Sequence, residues 1–173
     1  MLNKNVEKAI NDQIVAELYS AYMYLSMSAY FESENLDGFG RWMQAQALEE
    51  LYHAMKFYNY VNERGGRVIL GAVEQPESSW DSPIAVFQAT YDHEVKVTGL
   101  IHNLVDIARK ENDKATESFL TWYVDEQVEE EDAADRILGK LKMIKDAPGA
   151  LFMMNNELGQ RTPTWPAAAG EEA

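Results

Sequence analysis

The chain has 173 residues, 46 % of them hydrophobic, with a formal charge of −14 and no cysteine. Length and composition fit one globular domain with a sizeable core. Lack of cysteine excludes disulfides, zinc–thiolate sites, iron–sulfur clusters and cysteine nucleophiles. So acidic a chain is unsuited to nucleic-acid phosphates but can attract cations.

The first ten residues, MLNKNVEKAI, carry no long apolar run and no cleavage site. No secretory signal is expected, and no stretch approaches the roughly 20 apolar residues of a membrane span. The cytoplasm is the expected compartment.

Four long helices are predicted. The first runs from about Asn5 to Ser33 and closes at ENLDG, with Asn35 and Gly38 as stop and turn residues. The second runs from about Gly38 to Arg64 and ends at Gly65-Gly66. The third begins with Ser82 as N-cap and Pro83 at the first helical position, and ends near KENDK. The fourth follows Asp113 and reaches about Lys145. A short fifth helix is predicted after Pro148, stopped by Gly159. A single domain over residues 1–160 is expected, with 161–173 as a loose tail.

Two of the links are only a few residues long, so helices one and two, and three and four, are expected as antiparallel hairpins. The link from Gly65 to Asp81 is long. It suits the single crossover of one class of four-helix bundle and leaves helices two and three parallel.

Each apolar stripe carries an acidic residue near mid-helix. Glu17 and Tyr24 share a line with Ile10, Ile14 and Ala21. Glu50 lies with Met43, Ala47 and Phe57, and His53 follows one turn later. Glu94 lies between Phe87 and Ile101, while Gln127 and Glu130 lie between Tyr123 and Ala134. At one level of an antiparallel bundle these six side chains converge.

Burying one unpaired carboxylate costs several kcal/mol. Four together repel, and most have to be protonated at neutral pH. Against a domain stability of about 5–15 kcal/mol that demands compensation. Divalent cations supply it, and oxygen ligands with one imidazole suit iron or manganese and accept zinc. A single glutamate on an apolar stripe more often reaches solvent, so the weight rests on the joint pattern. Glu50-x-x-His53 puts two ligand types one turn apart, and Gln127-x-x-Glu130 repeats the spacing. Glu and Glu-x-x-His sets form the metal site of ferritin-like bundles.

The segments DQIVAELYSAYMYLSMSAYF, GFGRWMQAQALEELYHAMKFYNYVNERGGRV, HEVKVT and FLTWYVDEQVEEE stand in the order and spacing of a ferritin. Over about residues 1–160 the chain resembles the non-haem prokaryotic ferritins. The resemblance implies an all-α, ferritin-like four-helix bundle with a short fifth helix, twenty-four copies of which form a hollow shell. It implies a ferroxidase: a buried di-iron centre that oxidises Fe(II) with dioxygen or peroxide and passes the product inward as a ferric mineral. By the same resemblance, Glu17, Glu50 and His53 hold the first iron. Glu94 and Glu130 hold the second, with Glu50 bridging. Gln127 contacts the second iron or its bound oxygen species, and Tyr24 bonds a ligand carboxylate and serves as an electron donor. Glu49, Glu126 and Glu129, offset by about 100° from the main stripe, correspond to a third iron site toward the cavity.

Departures narrow the family. Gln127-x-x-Glu130 is not a second Glu-x-x-His, and Leu51 stands where bacterioferritins place a haem-ligating methionine, so no haem is expected. No Cys-x-x-Cys pair marks a rubrerythrin. The alternative is a non-storage di-iron peroxidase or oxidase of the erythrin-like type. His93 and His102 are expected at the surface or in a subunit contact, and Met153 and Met154 along an intersubunit channel.

Overall fold

The computed structural model describes residues 2–145 and 147–161. Among the described residues five helices follow in order: α1 (Lys4–Ser33), α2 (Asp37–Glu63), α3 (Pro83–Lys110), α4 (Lys114–Met143) and α5 (Pro148–Leu158). Residues 162–173, in the expected loose tail, lie outside the described residues. No helix among the described residues is long and apolar enough to cross a membrane.

Local chemistry sets most helix ends. The side chains of Asn3, Ser82 and Asp113 cap α1, α3 and α4 by accepting from the backbone N–H of Asn5, Ala85 and Thr116. Three helices stop in the same way, with a left-handed residue: Asn35 (φ 59), Gly65 (φ 68) and Asn112 (φ 55). The next N–H then reaches back five residues, as in Leu36 N to Phe31 O at 2.9 Å. Asn and Gly tolerate this conformation, and the bond satisfies a carbonyl that the helix end leaves free.

Helix directions follow from contacts. Ser28 bonds Gly40 O, and Leu2 N bonds Arg64 O, so α1 and α2 are antiparallel. Phe31 packs near Phe87, and Tyr24 reaches Glu94, so α3 also opposes α1 and runs with α2. The crossover lies along α1: Ile69 N donates to Asn11, Ser26 to Glu77 O, and the Tyr30 and Trp80 rings sit 5.5 Å apart.

The apolar core has two parts. One centres on Met27, Phe31, Phe39, Met43, Phe87 and Leu141. The other centres on Ile10, Ile14, Phe57, Ile101, Leu104 and Leu120. Between them lies a polar layer.

Gly38 lies in α2, close to the helix start expected there, but its role as a turn residue is corrected: it serves close approach. Leu36 gives α2 no side-chain cap. Asn155 of α5 supplies one, its Oδ1 accepting from Gly38 N (2.9 Å) and Phe39 N (3.2 Å). A Cβ on Gly38 would stand 1.7 Å from the Asn155 carbonyl oxygen, which no side-chain adjustment relieves. Gly38→Ala is therefore expected to undock α5 and cost about 2–3 kcal/mol, read as a lower melting temperature with faster proteolysis of α5. Met154 packs into the core while Met153 is exposed, so only Met153 is free to line a channel.

Candidate metal centre

The polar layer brings together Glu17 from α1, Glu50 and His53 from α2, Glu94 from α3, and Gln127 and Glu130 from α4, all of them buried. One ligand atom each of Glu17, Glu50 and His53 falls within a 4.8 Å group. A second such group joins His53 to Glu126 and Glu130. His53 is thus the shared corner. Its Nδ1 lies 3.5 Å from Glu50 Oε2.

Neighbouring side chains hold the carboxylates. Gln13 Nε2 donates to Glu17 Oε1 at 2.8 Å. Gln46 Nε2 donates to Glu130 Oε2 at 2.6 Å. The Tyr24 hydroxyl donates to Glu94 Oε1. Gln127 Nε2 approaches the Glu94 carbonyl at 3.3 Å and Thr98 Oγ1 at 3.2 Å. The Tyr123 hydroxyl donates to His53 O at 2.9 Å and pins the α2 backbone to α4. Glu50 Oε2 is buried and has no hydrogen-bond partner among the described residues.

The electrostatics follow from this crowding. Burial raises the Glu17 and Glu50 carboxyls well above the usual range, and neighbouring carboxylates add to both shifts. Burial lifts Glu94 to about 7. Burial and then the Glu94 charge lift Glu130 to about 8. Burial raises the Tyr24 phenol well above its normal value, and Glu94 raises it further. No Lys or Arg is buried among the described residues. A divalent cation meets what the layer lacks: positive charge for four carboxylates and a partner for the orphaned Glu50 oxygen.

The three offset glutamates part company. Glu126 is half-buried and joins His53 and Glu130, and burial raises its carboxyl. Glu49 is half-buried and ion-paired with Arg161 at 2.5 Å. Glu129 is exposed and belongs to neither group. His93 is half-buried rather than fully exposed, at the edge of an open pocket. It bonds Ser20 at 2.8 Å between α1 and α3, and burial lowers its pKa to about 4.

Sequence reading missed Gln13, Gln46 and Arg161. A signal existed for the glutamines: each stands four residues before a buried glutamate, one turn away on the same face.

Comparison with known proteins shows the family and the fold. The ferritin-like domain family matches residues 7–144. A bacterial non-heme ferritin of Bacteroides fragilis is 43% identical over 161 residues, covering 93% of this chain and 100% of the relative. One from Staphylococcus aureus is 41% identical over 162 residues, covering 94% and 98%. Among solved structures, the open-pore ferritin of Archaeoglobus fulgidus superposes with a TM-score of 0.93 at 52% identity, covering 94% of this chain and 100% of that one. Its engineered closed form gives 0.94 at 52%, covering 95% and 100%. Matched in family pattern, in bundle and over nearly its whole length, the chain belongs to the ferritin family.

Proposed function

We propose that the chain is an iron-storage ferritin whose central layer oxidises Fe(II), and whose copies assemble into a hollow shell holding the ferric product. The observation that carries this reading is the convergence of four buried carboxylates and His53 around an orphaned Glu50 oxygen. Relatives named non-heme ferritins support storage rather than peroxide reduction alone.

Fe(II) is the substrate. Glu17, Glu50 and His53 bind one ion, and Glu94 and Glu130 the next, with Glu50 between them. Each ion gives one electron to dioxygen or peroxide, and Fe(III) hydrolyses to mineral. Carboxyl protons leave as Fe(II) arrives, because the charged oxygens are the ligands. Gln13 and Gln46 hold Glu17 and Glu130 in place, and second-layer bonds of this kind set ligand orientation. Gln127 and Tyr24 hold Glu94 and supply polar hydrogens beside it. Glu126 is the best placed of the offset glutamates for a further ion.

Exposed Tyr22 and Leu25 beside a groove lined by Leu18, Ala47 and Leu51 support assembly with further copies. We assign twenty-four subunits and a cytoplasmic location on the family resemblance.

Electron microscopy before and after aerobic Fe(II) loading tests the reading. Hollow particles that gain a dense core are expected. Uptake that stops at about two or three irons per chain, the capacity of the centre itself, would exclude storage.

A further inference from the structure

The chain beyond α5 turns back onto the centre. Arg161 is half-buried, and its guanidinium lies 5.0 Å from the Trp42 ring. Its Nη2 is 2.5 Å from Glu49 Oε2, and its Nη1 donates to Gln46 Oε1. Gln46 is 1 % exposed, and its Nε2 donates to Glu130.

The chemistry fixes the direction of this chain of contacts. A guanidinium only donates, so the atom of Gln46 that faces it must be the amide oxygen. That fixes the side chain, with Oε1 toward Arg161 and Nε2 donating to Glu130. Gln46 thus relays the placement of Arg161 to a carboxylate of the centre. Arg161 is itself delivered by α5, which Asn155 locks to residues 38 and 39 at the start of α2.

The same guanidinium occupies Glu49. Arg stays protonated at any physiological pH and matches a carboxylate in geometry. A metal ion that draws on Glu49 therefore has to displace it.

We propose that Arg161 is a positioning residue for Glu130 and a built-in counter-cation for Glu49, closing that side of the centre to a further metal ion until the guanidinium moves away. The inference rests on the layer being a divalent-cation site. Binding at Glu49 and engagement of Arg161 exclude each other, so by reciprocity an ion at Glu49 releases the end of α5.

Zinc, which is redox-inert, is the probe, titrated calorimetrically into the intact assembled protein. Arg161→Ala is expected to add one Zn(II) per chain, or to tighten the weakest step by about tenfold. Glu49→Gln in that background should remove the gain. Arg161→Lys, which keeps the charge, should restore the weak wild-type step, a rescue that a purely structural role would not give. Equal numbers and affinities of steps in wild type and Arg161→Ala would overturn the inference while leaving the centre intact. A wild type that binds no zinc would overturn both. If Arg161→Ala does not assemble, neutral Arg161→Gln is titrated against the same two outcomes.

Discussion

Glu50→Gln is expected to lower the initial rate of Fe(II) oxidation on the order of 100-fold while raising the melting temperature of the metal-free protein. Both effects have one cause. The Glu50 carboxyl groups with Glu17 and His53, has its pKa raised by burial and then by the charges of Glu94 and Glu130, and carries an oxygen without a hydrogen-bond partner among the described residues. In the proposed centre it is the oxygen donor shared by both ions, so an uncharged amide removes a ligand from each. In the metal-free fold the same group is held protonated against its ordinary tendency to ionise. Each pKa unit of that shift is work of about 1.4 kcal/mol. Gln has nearly the same shape and requires none of it. A stopped-flow oxidation trace and a thermal melt decide the matter together. A variant that oxidises Fe(II) at the wild-type rate would remove Glu50 from the chemistry.

The metal-free protein should lose stability as pH rises from 6.5 to 8.5, by several kcal/mol in total. The folded state raises Glu94 to about 7 and Glu130 to about 8, from an ordinary 4.5. The fold therefore binds protons that the unfolded chain has already released. This stabilisation is complete below 4.5 and disappears as pH climbs through 7 and 8. His93 acts in the opposite sense. Its pKa is lowered from 6.5 to about 4, so its contribution grows with pH up to 6.5 and is constant above. The window above 6.5 isolates the carboxyls. Saturating zinc should abolish the decline, because it binds the ionised forms, and binding near pH 7 should release protons. Thermal melts with and without zinc, and calorimetry in two buffers of different ionisation enthalpy, measure both. A flat metal-free melting temperature across this window would contradict the protonated layer.

What could be read from the sequence was what local chemistry decides. Ser82 and Asp113 announce helix starts, Asn35, Gly65 and Asn112 sit where helices stop, and the predicted ends fall within about two residues of those found. The six-residue layer was legible too, because helical spacing alone places Glu17, Glu50, Glu94 and Glu130 on apolar lines. Features that depend on the approach of distant segments were not legible. Nothing local links Asn155 to Gly38, or Arg161 to Gln46 across 115 positions. His93 looked peripheral because its neighbour faces the core, and it is half-buried, but its bond to Ser20 across α1 and α3 had no local signal. Glu49, Glu126 and Glu129 looked equivalent by angle. Tertiary surroundings separate them, one bound to Arg161, one beside His53, one in solvent.

The two-part core has a consequence for how the molecule holds together. A continuous apolar interior melts as one cooperative unit, whereas segments separated by a poorly matched boundary open with their own free energies. Here the boundary is the carboxylate layer, with Phe31 and Phe39 on one side and Ile14 and Phe57 on the other. Within it the α1–α2 hairpin supplies Glu17, Glu50 and His53, and the α3–α4 hairpin supplies Glu94 and Glu130. On the proposed reading, the incoming substrate is also a rivet. It draws the two hairpins together at the waist of the bundle and joins two half-cores into one cooperative unit, so the protein is most tightly bound while it is loaded.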